Sequence, residues 1–250
     1  MAKVDFHVHS EFSIDSSLKI EKIIAKAEKE DFYVAISDHN EIAGYFKARN
    51  LDSRRVIPAV EVVSSEGIHL LFYFINEKTL VSFFKEAIEK NRSKDLFKLK
   101  SGFFQLVKQG KKHHAFIGIP HPFTRKIGLL NCRRFKNGKK YLKYADFYEI
   151  HTSSLPKFTN KKAENYHKNN LTMPVIAGSD AHFLKDVGRT LLEVKNFKSL
   201  KELFGNLKNK TSVNSYGRFK IFPAVRREFI LFKKTGKKDY FRCRTDRIFN

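Results

Sequence analysis

Residues 4–10 read V-D-F-H-V-H-S. Alternate side chains of a strand share a face, so Asp5, His7 and His9 project one way while Val4, Phe6 and Val8 project the other. Two imidazoles two residues apart on one surface can share a metal ion. The same pattern also suits a short edge strand with solvated histidines, and H-x-H alone does not choose between them. The choice comes from the rest of the chain, where further strand-like runs also finish in His, Asp or Glu.

After this strand a polar loop carries Asp15, and Leu18, Ile20, Ile23, Ile24 and Ala27 then fall at helical spacing behind a Ser16 or Ser17 cap. Residues 32–37 form an apolar run typical of a buried parallel strand and end in D-H-N at 38–40. Residues 41–54 hold a short helix, and V-I-P-A-V-E-V-V at 56–63 is the next buried strand. A carboxylate inside so apolar a run, Glu61, is costly to bury unless it is paired or bound to a cation. Gly67 marks a tight turn, and the strand at 69–74 returns in hairpin fashion because a separation of eight residues from Glu61 to His69 leaves no room for a crossover helix.

Residues 79–112 read as mainly helical, with Phe83, Phe84, Ile88, Leu96, Leu99, Phe103, Phe104 and Leu106 as the inner stripe. A fifth strand at 115–119 ends in P-H-P, where flanking prolines hold His121 at a strand end. Residues 124–144 contain Lys126, Arg133, Arg134, Lys136, Lys139, Lys140 and Lys143 and no acid, which suits either a solvated face or an anion-binding surface. The sixth strand, 145–150, ends near Glu149 and His151, a helix follows near 161–169, and the seventh, 173–177, ends in G-S-D-A-H with Asp180 and His182. From residue 195 the chain changes character, with 16 Lys and Arg against 4 Asp and Glu. We therefore expect a main domain over 1–194 and a basic extension over 195–250, packed on the domain or following it; 200–207 reads as a helix and 218–233 as a strand or helix.

The chain of 250 residues is 42% hydrophobic with 25 Phe, enough for one packed interior. A net charge of +23 points to an anionic partner such as nucleic acid or a nucleotide. Cys132 and Cys243 form no disulfide framework, which suits a reducing compartment. With no leader and no long apolar run, the expectation is a soluble cytoplasmic protein without a membrane partner. Nothing in the sequence reads on oligomeric state.

Seven strand-like runs separated mostly by helices suggest an α/β fold, a (β/α) barrel whose functional groups gather at the carboxyl ends of its strands. His7, His9, His39, Glu61, His121, Asp180 and His182 fall at or near such ends. Mixed imidazole and carboxylate donors suit Zn, Mn or Fe, and their number exceeds the need of one four-coordinate ion, so two or three divalent ions are expected.

D-F-H-V-H-S, S-D-H-N, A-V-E-V, H-L-L, P-H-P and G-S-D-A-H, in that order over residues 4–192, resemble the successive motifs of the PHP (polymerase and histidinol phosphatase) family of metal-dependent phosphoesterases. The resemblance implies a distorted seven-stranded (β/α) barrel with a trinuclear centre at its open face. It places ligand roles on His7, His9, Asp15, His39, Glu61, His69, His121, Asp180 and His182, with Glu61 as bridge. By the family pattern His7, His9, Glu61 and Asp180 hold one ion, Glu61, His69 and His121 a second, and Asp15, His39 and His182 a third. Asp5 and Asp38 would orient neighbouring ligands, Glu149 and His151 would either do the same or merely pack, and His113 and His114, which match no motif, would be exposed.

The implied chemistry is attack on a phosphate ester by a water acidified on the metals, with Arg125 and Arg189 clamping a non-reacting phosphate. Either could also be a plain surface arginine. The first functional expectation is hydrolysis of a small phosphomonoester or nucleotide-type substrate. The alternatives are a nuclease acting on ends or single strands, and a metal-bound but non-catalytic nucleic-acid-binding module.

Overall fold

In the first strand, β1 (Ala2–Val8), every residue from Val4 onward is buried, so both of its faces must be covered. Helices α1 (Ile20–Lys29) and α2 (Ala43–Leu51) follow β1 and β2 (Tyr33–Ile36), and β3 (Val56–Val63) runs parallel to β2, which is parallel to β1. α1 buries Ile20, Ile23, Ile24 and Ala27, the stripe expected from their spacing. The structure is a computed structural model that describes residues 1–132, 135–207 and 212–215, with 230 and 234.

β4 (His69–Tyr73) returns antiparallel beside β3 after a turn in which Gly67 has φ 85°, and β5 (Phe116–Ile119) is antiparallel to β4 in turn. β6 (Phe147–Thr152) and β7 (Val175–Gly178) restore parallel pairing, with α5 (Lys157–Asn170) between them. The sheet order β7-β6-β5-β4-β3-β2-β1 closes because the chain leaving β7 reaches the carboxyl end of β1. There Asp180 N donates to His7 O (2.7 Å) and His9 N donates to Ala181 O (3.0 Å). This is the distorted seven-stranded (β/α) barrel.

An eighth strand, β8 (Thr190–Val194), was not among the seven runs expected; it pairs antiparallel with the first residues of β1 and with β9 (Ser212–Ser215) beyond it. One barrel strand thus takes β8 at its start and the β7 exit at its end.

Residues 77–112 depart from a mainly helical reading. α3 (Glu77–Phe83) runs into a π-helical turn at Phe84–Ile88 and a 3-10 turn at Glu89–Asn91, and α4 (Phe103–Lys112) starts only after an irregular stretch. Two helices with separate phases cannot share one stripe, so Phe83, Ile88, Leu99, Phe103 and Leu106 are buried while Leu96 and Phe104 are exposed. In the stretch between them Ser93 and Asp95 bond the backbone locally, which competes with a helix.

α6 (Leu200–Asn206), capped by Ser199, buries Leu203 and Phe204 in the core that holds Val4, Phe6, Tyr73 and Phe147. A division at residue 195 is our proposal, and the described part of the extension packs on the barrel. The reading of 218–233 lies outside the described residues except for 230. Among the described residues no helix is long and apolar enough to cross a membrane.

Barrel closure leaves no room at Gly178, where a Cβ would lie 2.6 Å from His7 N and 2.5 Å from His7 Cβ. Gly178→Ala is expected to cost about 3 kcal/mol, the upper part of the range for an overpacked site, seen as a lower urea midpoint with an unchanged slope. A midpoint equal to wild type would mean that β7 does not approach β1 this closely.

Candidate metal centre

Parallel strands place their carboxyl ends on one face of the barrel, and antiparallel β4 places its start there. β1 supplies His7 and its exit His9, the loop after it Asp15, the β2 exit Asp38 and His39, β3 Glu61, the β4 start His69, the β5 exit His121, and the β7 exit Asp180 and His182. All are buried. Asn40, His121 and Asp180 have φ of 53°, 29° and 49°, left-handed values that cost a non-glycine residue about 1–3 kcal/mol. Each is held by backbone bonds: Asn40 N to Glu61 O, Asp180 N to His7 O, and His121 N to Glu149 Oε2 at 2.6 Å.

Glu61 is the hub. Its Oε1 lies 2.9 Å from His69 Nδ1 and 3.2 Å from His121 Nε2. Its Oε2 lies 3.1 Å from His39 Nδ1, 3.3 Å from His9 Nε2 and 3.4 Å from His7 Nε2. Asp180 Oδ1 stands 3.2 Å from His9 Nε2 and 3.6 Å from His7 Nε2. On the far side Asp15 Oδ2 is 3.0 Å from His182 Nε2 and 3.5 Å from His39 Nε2.

Outer contacts aim these rings inward. His7 Nδ1 lies 3.1 Å from Glu149 Oε1 and His182 Nδ1 lies 2.9 Å from the Asp180 carbonyl, so in each case the Nε2 lone pair is left for the centre. The Nε2 atoms of His7 and His9 are 3.1 Å apart and converge on one point. Ser13 Oγ donates to Asp15 Oδ1 (2.8 Å), and Ser154 Oγ donates to Asp180 Oδ2 (2.6 Å). Asp5 accepts from Ser179 N and Gly188 N, and Asp38 from the Ser10 amide and hydroxyl, so both carboxylates fasten backbone near the ligands. Gly44 passes so close to Asp38 that a Cβ would collide with its Oδ2. Lys234 donates its ammonium to the carbonyls of Glu11 (2.8 Å), Ser13 (2.6 Å) and Ser16 (2.6 Å), bracing the loop that carries Asp15.

The sequence alone leaves the role of Glu149 open, with a Glu inside a strand as its only signal, and the structure gives it contacts to His7 and to the His121 amide. Ser13, Ser154 and Lys234 carried no signal, since single Ser and Lys residues in loops are commonplace. His151 instead pairs with Glu164 at 3.0 Å. His113 is not exposed as expected: it is buried at the end of α4, 3.2 Å from Glu86 Oε2, while His114 is exposed. Arg125 is exposed on the loop after β5, and half-buried Arg189 donates to Asp186 (3.0 Å). Neither arginine meets the cluster.

Burial pushes Glu61 and Asp180 upward, but the imidazoles around them outweigh it and hold both well below the ordinary carboxylate range. Burial opposes a charge on His9, yet Asp180 and Glu61 raise it to about 9; His7 is likewise raised against burial, by Glu61, Asp180 and Glu149. Burial dominates at His69 and lowers it to about 3, and it pushes Asp5 and Asp38 up to about 6 against their hydrogen bonds.

The donor set fits metal. Nδ1 of His121 and both ring nitrogens of His39 are buried without a hydrogen bond, the His39 nitrogens facing Glu61 and Asp15 at 3.1 and 3.5 Å out of hydrogen-bonding geometry, and a coordinate bond would satisfy them. Three groups bring ligand atoms within 4.8 Å of one another: His9, Asp15, His39 and His182; His7, His9 and Asp180; and His39, Glu61 and His69. These overlap the expected partition, with His9 and His39 each shared between two groups.

The PHP domain family matches residues 5–216, which span every one of these donors. The chain belongs to the PHP domain family. As a PHP domain protein it is a hydrolase that depends on bound metal. It is 28% identical over 220 residues, 84% of this chain and 80% of the other, to the uncharacterized protein MJ0417 of Methanocaldococcus jannaschii. Its fold is similar to the lesion-specific endonuclease PfuEndoQ of Pyrococcus furiosus, with TM-score 0.64 and 17% identity, over 90% of this chain but only 65% of the endonuclease. It is also similar to a proposed metal-dependent phosphoesterase of Bifidobacterium adolescentis, with TM-score 0.54 and 14% identity, over 82% of this chain and 95% of that one.

Two outcomes follow from this PHP centre. Raised histidines stabilise the metal-free fold below about pH 6.5 and lose that contribution as pH climbs through about 9. Melting in EDTA should therefore fall across that interval, and added Zn or Mn should remove the slope; a flat profile in EDTA would contradict the cationic assignment of His7 and His9. Glu149→Gln, which weakens the hold on His7, is expected to lower metal affinity about 10- to 100-fold in a competition titration with a chromogenic chelator.

Proposed function

We propose that the protein is a phosphoesterase that hydrolyses small phosphomonoesters or nucleotide-type esters at a centre of two or three divalent ions, Zn, Mn or Fe. The observation that carries this reading is Glu61: each of its oxygens faces a separate set of imidazoles, as a carboxylate shared between ions requires. When bound, such ions acidify a coordinated water and neutralise phosphate oxygens as an in-line attack builds negative charge.

The roles proposed for the chain are these. His7, His9, Asp15, His39, Glu61, His69, His121, Asp180 and His182 hold the ions, while Asp5 and Asp38 fix the backbone beneath them. Arg125 and Arg189 clamp a phosphate oxygen that does not react, each from a loop leaving a ligand-bearing strand end. Cytoplasmic placement fits the two-cysteine composition.

A nuclease is the second reading, supported by the acid-free basic segment at 124–144 and by the fold shared with an endonuclease. A non-catalytic binding module is the weakest, because every expected donor is present and buried.

His9→Ala and Asp180→Ala are each expected to reduce turnover of a chromogenic phosphate ester in Mn or Zn by about a thousandfold or more, with an unchanged circular dichroism spectrum. Wild-type rates that survive complete removal of metal would refute the proposal.

A further inference from the structure

The cluster is buried, so whatever reaches it must cross the barrel's open face, and the side chains of that face are unusual. Phe12, Phe158 and Leu184 are 38%, 75% and 38% exposed, and they lie on the segments that follow β1, β6 and β7. These are exits on the side that holds the donors. Large apolar groups standing in water around a polar centre mark a surface meant to be covered.

Cations lie over aromatic rings on the same side and continue away from it. Lys47 Nζ is 5.8 Å from the Phe12 ring centroid. Phe123, two residues beyond His121, has Lys162 Nζ at 4.8 Å and the Tyr166 ring at 5.5 Å, and Lys139 lies 5.5 Å over Tyr166. The next residue, Lys140, lies 5.0 Å over Tyr141, and Lys143 lies 5.2 Å over Tyr144. Exposed Phe104 stacks its edge against both tyrosines, at 5.0 and 5.5 Å. Lys139 and Lys140 are consecutive on one 3-10 turn, Gly138–Tyr144, which links the two aromatic groups, and the first group starts beside a metal-site histidine.

A carboxylate within reach neutralises a surface lysine locally. Here the chain from 124 to 144 contains none, and among the described residues Lys139, Lys140, Lys143 and Lys162 form no ion pair. Unneutralised ammonium groups alternating with ring faces match the backbone and the bases of an unpaired polynucleotide. A rigid duplex keeps its base faces stacked inside and offers nothing to the rings. We infer that the band from Phe158 and Phe123 to Tyr144 docks single-stranded nucleic acid, feeding one end of the strand to the cluster. A base that takes a ring face releases the ammonium above it to a neighbouring phosphate. This inference rests on the phosphoesterase reading for what happens at the cluster, but not for the docking itself.

The test uses the metal-loaded full chain and a fluorescent oligothymidylate with phosphorothioate linkages, followed by anisotropy over a range of salt. The triple variant Lys139→Ala, Lys140→Ala and Lys143→Ala should lower the slope of log affinity against log salt by about 2, since each phosphate contact on a single strand contributes roughly 0.7. Phe158→Ala should weaken binding about tenfold and leave the slope unchanged, the signature of a lost stacking partner. Both variants should turn over a chromogenic monoester at the wild-type rate. Equal affinity for a duplex of the same length, or an unchanged slope in the triple variant, would overturn the inference. Oligonucleotide binding with these responses in a protein that hydrolyses no ester would instead refute the phosphoesterase reading and leave the docking surface standing.

Discussion

Five imidazoles around one buried carboxylate set the terms for the whole molecule. Glu61 is shut away from water in the third strand of a barrel, where an unpartnered negative charge would be expelled or neutralised by a proton. The rings of His39, His69, His7 and His121 hold it ionised instead, with His9 Nε2 3.3 Å away, and the five come from β1 and its exit, the exits of β2 and β5, and the start of β4. The arrangement therefore works only if β1, β2, β3 and β5 finish, and antiparallel β4 starts, at a common level.

That demand accounts for features of the barrel that would otherwise be liabilities. The antiparallel β4 breaks the regular alternation, yet it brings His69 within bonding distance of Glu61 by a turn of a few residues. Left-handed backbone at His121 and Asp180 costs free energy, but it re-aims side chains that a straight strand would direct along the sheet. Close approach at Gly178 lets the β7 exit hydrogen-bond to the very residues, His7 and His9, whose rings enter the centre.

Much of this was legible because strand ends are short and their chemistry is dense. H-x-H, D-H-N, P-H-P and G-S-D-A-H each put polar side chains immediately after apolar runs, and a barrel collects such ends whatever its loops do. What stayed hidden depends on distance in sequence. β8 is a five-residue run whose partner lies at the other end of the chain, so no local pattern distinguishes it from a loop. The burial of His113 comes from Phe83 and Glu86, some 30 residues earlier, where no local pattern shows it. Ser13, Ser154 and Lys234 act through one hydroxyl or one ammonium each, and their residue types are too common in loops to attract notice. Leu96 and Phe104 show the opposite failure, a periodic stripe extended across a break between two helices.

The charge distribution also bears on why this centre needs cations before any bond is broken. Asp5, Asp15, Asp38, Glu61, Glu149 and Asp180 are all buried beneath the open face, and a phosphate approaching them bare would meet repulsion at short range in a medium that screens poorly. Lysines on the surface act over the Debye length, about 8–10 Å in physiological salt, and can bring an anion to the mouth but not past these carboxylates. Ions held among the imidazoles would reverse the local sign, with Asp15, Glu61 and Asp180 as their carboxylate ligands. On this account metal governs substrate binding as well as hydrolysis, and the outer positive field and the inner ions act in series: the first sets how often a phosphate arrives, the second whether it can stay.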